Sequence, residues 1–232
     1  MKIALLGYGR MGQAIEKIAI ERGHEIVIRK DIEPVELDLG IADAAIDFSH
    51  PTAAFENIKN CIDSGVPVIS GTTGWLDKYD EIVSYCKAMD GSLIYASNFS
   101  IGVNLFFNLN LQLAKLMKNI GEYDVSMKET HHIHKLDAPS GTAISLAEDV
   151  IENSGKAKWS IESREKDTLF IDVEREGEVP GTHEVSYTSS IDSIEIKHTA
   201  FNRTGFALGA VVAAEWLKDK KGVFEMKDVL SL

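Results

Sequence analysis

At 232 residues the chain is long enough for one large domain or two small ones, and a 44% hydrophobic content supplies an ordinary globular core. A formal net charge of -12 argues against a nucleic-acid partner and does nothing to attract an anionic substrate, so any local gathering of basic groups carries weight. No apolar run approaches the ~20 residues that cross a bilayer, so no membrane partner is expected. Two cysteines, Cys61 and Cys86, do not make a disulfide framework and read as reduced thiols within helices.

Residues 1–6 read as a strand with no leader signal, which fits a cytoplasmic protein. The glycine run Gly7-Tyr8-Gly9-Arg10-Met11-Gly12 follows at once. From 11 to 21 apolar residues recur at helical spacing through Met11, Ile15, Ile18 and Ala19. Residues 25–28 and 44–48 are the next strands, and Pro51 suits the first turn of a helix. Strands over 66–70 and 92–96 flank a helix over 77–89. Strands alternating with helices imply a parallel sheet with ligands at the strands' carboxyl ends.

Near residue 100 the rhythm changes. A long helix over 102–118 precedes a strand over 124–132, a helix over 143–151 and three strand-like segments over 168–173, 184–188 and 193–199. Val125, Met127, Glu129 and His131 share one face of the 124–132 strand; Ser126, Lys128, Thr130 and His132 share the other. An apolar helix over 205–218 returns to the first domain. The expected fold class is α/β: a Rossmann-type parallel-sheet dinucleotide-binding domain over 1–101 and 204–232, plus an α+β domain over 102–203 with an open mixed sheet.

Gly7, Gly9 and Gly12 match G-x-G-x-x-G in the context that gives the motif meaning, between a strand and a helix. The first glycine permits the tight turn, the second lets backbone approach a pyrophosphate, and the third allows close packing. The second strand ends in Arg29-Lys30 where an NAD-preferring site carries an acidic residue. Two cations suit a 2'-phosphate and favour NADPH, with NADH also open; the alternative is a solvated charged turn.

The run from Glu129 to Ala143 holds His131, His132, His134, Lys135 and a Pro139-Ser140-Gly141-Thr142 turn. Ser140 reads as the cap of the following helix, whose free N–H groups favour a carboxylate or phosphate. His131 and His132 can donate protons near neutral pH. A metal site is disfavoured, because the histidines lack helical ligand spacing and neighbours on a strand point to opposite faces. Glu129 shares the face of His131 and either orients it or is a solvated strand carboxylate.

This segment, from His131 to Ala143, resembles the signature of the 4-hydroxy-tetrahydrodipicolinate reductase (dihydrodipicolinate reductase) family of diaminopimelate and lysine biosynthesis. The resemblance covers nearly the whole chain. Gly7, Tyr8, Gly9, Arg10, Met11 and Gly12 resemble the family's cofactor loop. Asp47-Phe48-Ser49 and Gly71-Thr72-Thr73-Gly74 resemble its later cofactor contacts, here Phe48, Ser49, Gly71, Thr72 and Thr73. Ala96, Ser97, Asn98 and Phe99 open a run to Asn104 that resembles its hinge, again beside the cofactor. Residues 198–203 and 206–210 resemble its C-terminal block. Two departures stand out: the chain is short between the second and third strands, and Arg29 replaces the family's acidic residue.

The resemblance implies reduction of 4-hydroxy-tetrahydrodipicolinate to tetrahydrodipicolinate with loss of water, using NADPH or NADH. It implies His131 as general acid with Lys135 assisting, His132 bonding the substrate, and Ser140, Gly141 and Thr142 holding one carboxylate of a small dicarboxylate. It also implies a homo-oligomer, expected to be a tetramer built through the second domain's sheet, and domain closure about hinges near 98–102 and 203–205. Arg203 is an even choice between a site and a structural role. Trp75, Trp159 and Trp216 read as core or interface residues. Two other readings are another two-domain NAD(P)-dependent dehydrogenase and a non-catalytic dinucleotide sensor; the sensor would leave the histidines and Lys135 unexplained.

Overall fold

The structure is a computed structural model that describes residues 1–31, 38–202 and 204–232; Arg203 lies outside the described residues. In chain order the elements are β1 (Lys2–Leu6), α1 (Arg10–Glu21), β2 (Glu25–Lys30), β3 (Ala44–Asp47), α2 (Pro51–Asp63), β4 (Val68–Ser70), α3 (Tyr79–Ala88), β5 (Ser92–Tyr95), α4 (Ile101–Met117), β6 (Asp124–His131), α5 (Gly141–Glu152), β7 (Lys158–Ser160), β8 (Thr168–Arg175), β9 (Gly181–Thr188), β10 (Ser193–Ala200), α6 (Thr204–Leu217), β11 (Gly222–Phe224) and α7 (Met226–Val229). They form two compact units, Met1–Asn104 with Thr204–Leu232, and Leu105–Arg203.

The first unit is a six-stranded parallel sheet in the order β11-β5-β4-β3-β1-β2. Its central strands are buried on both faces, which is why β1 reads as a continuous apolar run. Ile3 and Leu5 pack with Ile15, Ala19, Val211 and Leu217 on one side. Ala4 and Leu6 pack with Ile58, Ile62, Ile82 and the free thiols Cys61 and Cys86 on the other. Burial pushes the Cys61 thiol up to about 12, so it is an inert core group. Trp75 is buried in this second layer, while Trp216 packs half-buried against the first. From β1 the chain turns to β2 on one side and β3 on the other, so the sheet's switch point lies at the carboxyl ends of β1 and β3.

The second unit is a five-stranded mixed sheet in the order β10-β9-β6-β8-β7, with β6 parallel to β8 and antiparallel to β9. One face is covered by α4 and α5 through Phe106, Met117, Leu146 and Val150, set against Val125, Met127, Ile171 and Val185. On the opposite face the residues are polar, as in the Lys128–Glu174 and Lys197–Glu184 ion pairs. Three elements escaped the sequence reading. The strands β7 and β11 have three residues each and exist by pairing with β8 and β5, and α7 is a single turn. The helix expected over 77–89 opens as a separate 3₁₀ turn, Leu76–Lys78.

Small residues let α6 approach its neighbours closely. Gly209 is the tightest point: a Cβ there would stand 1.7 Å from the Phe99 carbonyl oxygen. Relieving that clash requires backbone movement, so Gly209→Ala is expected to cost about 1–3 kcal/mol despite alanine's better helix propensity. A fall in the thermal midpoint checks it; an unchanged or raised midpoint would show that the backbone accommodates the methyl.

Candidate active site

The glycine loop occupies the switch point of the first unit. Gly7 adopts φ +99°, and a Cβ there would lie 2.1 Å from the Phe48 carbonyl oxygen, so only glycine fits beside the end of β3. A Cβ on Gly12 would meet the Gly7 carbonyl oxygen at 2.2 Å. Gly9, the cap of α1, is different: no described residue lies within 4 Å of a Cβ built there, which leaves space among the described residues before the helix's first N–H groups. Two crowded glycines and one open one make a cradle that fits a dinucleotide pyrophosphate. Arg10 is exposed, and Tyr8 and Met11 pack half-buried against the core.

The other expected cofactor segments gather at the same sheet edge. Asp47 is fully buried and accepts hydrogen bonds from Ser49 Oγ (2.6 Å), Asn57 Nδ2 (2.9 Å), Ser70 Oγ (2.9 Å) and Thr72 Oγ1 (2.7 Å). Burial outweighs these donors and raises its carboxyl above the usual range. Thr72 Oγ1 also accepts from the Ser49 N–H at 2.9 Å, so the loops after β3 and β4 are tied together. The Phe48 ring lies against Gly71, where a Cβ would meet it at 2.3 Å. Thr73 and Ser97 are exposed, and Ala96 is half-buried. Asn98 Oδ1 accepts from the Ser100 N–H at 2.9 Å. Phe99 is buried in the core, so what it can offer a ligand is backbone.

Arg29 and Lys30 are both engaged. The Arg29 guanidinium grips the Glu16 carboxylate, which also accepts from the Tyr8 hydroxyl. Lys30 Nζ donates to Asn57 Oδ1 at 2.7 Å. Arg29 stays exposed in its ion pair, whereas Lys30 is half-buried.

In the second unit, β6 carries Glu129 and His131 inward on the helix-covered face. Glu129 is fully buried, so the solvated-carboxylate alternative fails. Its Oε2 accepts from Ser140 Oγ at 2.5 Å and from the Ser140 N–H at 3.0 Å. Arg175, at the end of β8, holds Oε1 at 3.2 Å and also donates to the Asp137 carbonyl at 2.7 Å. Ser140 Oγ in turn accepts from the Ala143 N–H (3.2 Å), capping α5, and stands 3.1 Å from His183 Nε2. Burial alone would raise Glu129, but the bonds from Ser140, with His131 and Arg175 nearby, hold its carboxyl below the usual range.

The His131 and His183 rings meet edge to face at 5.0 Å. His131 Nδ1 and His183 Nε2 each lie 3.7 Å from Glu129 Oε2. Burial lowers the His131 imidazole below its ordinary value; Glu129 pulls it back in part, while Lys135 and Arg175 add to the fall. Lys135 Nζ sits on Asp137 at 2.7 Å and 2.8 Å. His132 is half-buried just beyond the strand, and His134 is exposed against Glu178. Gly141 is exposed and Thr142 half-buried at the first turn of α5, where backbone N–H groups point outward.

Three site residues were missed. His183 pairs directly with Glu129 across β6 and β9, and Arg175 pairs with His131 across β6 and β8. At Gly181 a Cβ would come within 3.0 Å of His131 Nε2. The available signal was a histidine in phase with the inward-facing Val185 and Tyr187 of β9. Ligand-type atoms of Glu129, His131 and His183 lie within 4.8 Å of one another. The Ser140 hydroxyl already stands among them and Arg175 holds the second carboxylate oxygen, so the carboxylate and His183 Nε2 are engaged in protein hydrogen bonds.

Burial, with His131 adding to it, pushes His183 down to about 4. An unfolded histidine takes up its proton near pH 6.5. The stability contributed by keeping His183 neutral is therefore complete above about pH 6.5 and is lost as pH falls toward 4, by up to about 3 kcal/mol. The thermal midpoint of the wild type is expected to fall more steeply over that window than that of His183→Gln. Equal slopes would remove His183 as the source.

Residues 21–99 match the family model for the dihydrodipicolinate reductase N-terminus, and residues 102–230 match that for its C-terminus. A 4-hydroxy-tetrahydrodipicolinate reductase of Christiangramia forsetii is 56% identical over 234 residues, spanning 100% of this chain and 98% of that protein. Among solved structures, a dipicolinate-bound dihydrodipicolinate reductase from Paenisporosarcina sp. TG-14 aligns with a TM-score of 0.77 at 24% identity over 97% of each chain. A probable dehydrogenase from Thermotoga maritima, at 13% identity and a TM-score of 0.57 over 100% of this chain and 89% of that one, is similar in fold alone. Both halves of the sequence are accounted for, and the chain belongs to the dihydrodipicolinate reductase family.

Proposed function

We propose that the chain reduces (2S,4S)-4-hydroxy-2,3,4,5-tetrahydrodipicolinate to (S)-2,3,4,5-tetrahydrodipicolinate with loss of water, in diaminopimelate and lysine biosynthesis. The observation that carries this reading is one turn of chain that joins an enclosed imidazole, a lysine and a capped helix N-terminus. It belongs to a chain whose other unit presents an open glycine cradle, and which is 56% identical to a named reductase of this substrate.

The substrate carries two carboxylates. The Gly141 and Thr142 N–H groups bind one of them, aided by the positive end of α5. Lys135 exchanges Asp137 for the substrate, and His132 donates a further hydrogen bond. One hydride and one proton enter the ring and one water leaves. When bound, the nicotinamide supplies the hydride, to the ring carbon conjugated with the imine. His131 supplies the proton from Nε2, because Nδ1 is enclosed on the Glu129 side without a hydrogen-bond partner among the described residues. The resting imidazole is held low by burial. A dianion beside it raises its proton affinity, so the acid is charged when the substrate is there to receive the proton.

Gly7, Gly9 and Gly12 cradle the cofactor, with Tyr8, Arg10, Met11, Phe48, Ser49, Gly71, Thr72, Thr73 and the Ala96–Phe99 backbone around it. NADPH and NADH are both accepted. Glu16 offsets the Arg29 charge, which reduces the advantage a 2'-phosphate would draw from it. The assembly is a homotetramer built through the open polar face of the second sheet, working in the cytoplasm.

The reaction is tested by oxidation of NADPH or NADH in the presence of aspartate semialdehyde, pyruvate and the preceding synthase. Oxidation that requires the synthase and both its substrates is expected; none from protein that binds a cofactor would overturn the reading. In the same assay His131→Gln is expected to lower kcat by roughly 10²–10⁴-fold with NADPH binding retained. A near-normal kcat would remove His131 from its role. Glu16→Gln, which frees Arg29, is expected to raise the NADPH-to-NADH rate ratio several-fold; an unmoved ratio would mean that Arg29 does not meet the adenosine end.

A further inference from the structure

We propose that Glu129, Ser140 and His183 form a buried positioning network that holds the His131 proton donor and the carboxylate-binding turn of α5 in fixed relation. The inference rests on the reading of His131 and α5 given above.

Four contacts converge. Glu129 Oε2 takes both the hydroxyl and the N–H of Ser140, the residue that caps α5. With its proton given to Glu129, Ser140 Oγ accepts from His183 Nε2 at 3.1 Å and from the Ala143 N–H. His183 packs its ring edge to face on His131. Arg175 closes the far side, joining Glu129 to the Asp137 carbonyl in the turn between β6 and α5. Each member is a tenth exposed or less except Arg175. One carboxylate therefore touches the cap of the anion-binding helix directly and faces the imidazole of the acid.

The remaining gap is informative. His131 Nδ1 is buried, has no hydrogen-bond partner among the described residues, and lies 3.7 Å from Glu129 Oε2. Hydrogen bonds of this kind are often long before substrate binds and tighten in the complex. A small shift of the ring gives Nδ1–H an acceptor, which fixes the tautomer and leaves Nε2 for the substrate. The charged and titratable groups facing His131 are Glu129 on its own strand, Arg175 from β8, His183 from β9, and Lys135 and Asp137 from the following turn. Glu129 and Asp137 favour the imidazolium; Lys135 and Arg175 oppose it. His183 stays neutral over the working range.

The test is steady-state kinetics against pH for Glu129→Gln, Ser140→Ala and the double variant, with His131→Gln alongside. Glu129→Gln keeps the shape and removes the charge. It is expected to lower kcat on the order of 10²-fold, the cost of misplacing a reacting group by about an ångström. It should also move the pH limb that reports His131 to lower pH. Ser140→Ala is expected to raise KM for the substrate about tenfold, as weakened carboxylate binding at a helix terminus requires, with KM for NADPH unchanged. The double variant should fall short of the product of the singles, because the two residues act through one contact.

A purely structural role would lower the melting temperature while leaving the pH limb and the KM-to-kcat split unmoved, and that result overturns the inference. Should Glu129→Gln fail to fold, Ser140→Ala carries the test, and an unchanged substrate KM overturns it. An inactive His131→Gln beside an indifferent Glu129→Gln sinks this inference alone. A His131→Gln variant with near-normal kcat sinks the proposed function and the proton-donor half of this network together.

Discussion

The second unit is organised around one buried carboxylate. Taking an ionised Glu129 out of water is expensive, and an isolated carboxylate would take up a proton instead. It stays anionic because Ser140 donates twice and Arg175 once, and those bonds hold its proton affinity down against burial. The consequence reaches beyond the residue itself. The two donor residues come from different parts of the unit, the cap of α5 and the end of β8, and the Arg175 bond to the Asp137 carbonyl adds the turn between β6 and α5. Removing any donor leaves a charge partly unpaired, so the three segments are held as a set. That is how a loop rich in exposed side chains keeps a defined start to α5.

The first unit solves the same problem with a different residue. Asp47, the last residue of β3, is also fully buried, and it too collects side-chain donors from several segments: Ser49 and Thr72 from the loops, Ser70 from the end of β4 and Asn57 from α2. No cation holds it among the described residues and burial raises its proton affinity, whereas around Glu129 the two Ser140 bonds, with His131 and Arg175, tip that balance the other way. In both units a carboxylate at or near a strand's carboxyl end binds its neighbouring loops through hydroxyl groups. Ligand-facing loops are irregular and have no ladder of their own; a buried acceptor with several donors supplies the missing order.

Much of this was legible in the sequence, and what was legible shares a property. The strands β1 and β3, the helix α1 and the tight turn at Gly7 depend on local pattern and backbone sterics, which a window of residues contains. Glu129 and His131 fell on the correct face because alternation along β6 is local too. What escaped depends on register. His183 is 54 residues from Glu129, by their numbering, and meets it because Val185 opposes Met127 in the ladder. Arg175 reaches Glu129 only because β8 lies beside β6. For the same reason the sequence left Glu129 undecided between an orienting and a solvated role. Arg29 and Lys30 read as free cations because Glu16 and Asn57 lie on helices whose facing residues the sequence does not specify. The strands β7 and β11 carry too few residues to show a period, and a partner strand makes them.

A chain of net charge -12 that handles an anionic substrate and an anionic cofactor poses an electrostatic question. Arg10 stays exposed in the glycine loop, but three other cations do not answer it as bare charges: Arg29 sits on Glu16, Lys135 on Asp137, and Arg175 on Glu129. Such pairs avoid the cost of burying lone charge, but they also quiet the field that would draw an anion in. Also aimed outward are backbone dipoles, at Gly9 before α1 and at Gly141 and Thr142 after the Ser140 cap. Helix N-termini carry roughly half a unit of positive charge, need no counter-ion and lose no side-chain entropy on binding. The arrangement therefore gains selectivity from placement rather than from net charge. On the proposed function, an anion is held where N–H groups already point, and Lys135 adds its full charge only if the incoming carboxylate displaces Asp137. That exchange penalises anions unable to reach both the helix terminus and the lysine, which is a demand that a rigid dicarboxylate meets and a single carboxylate does not.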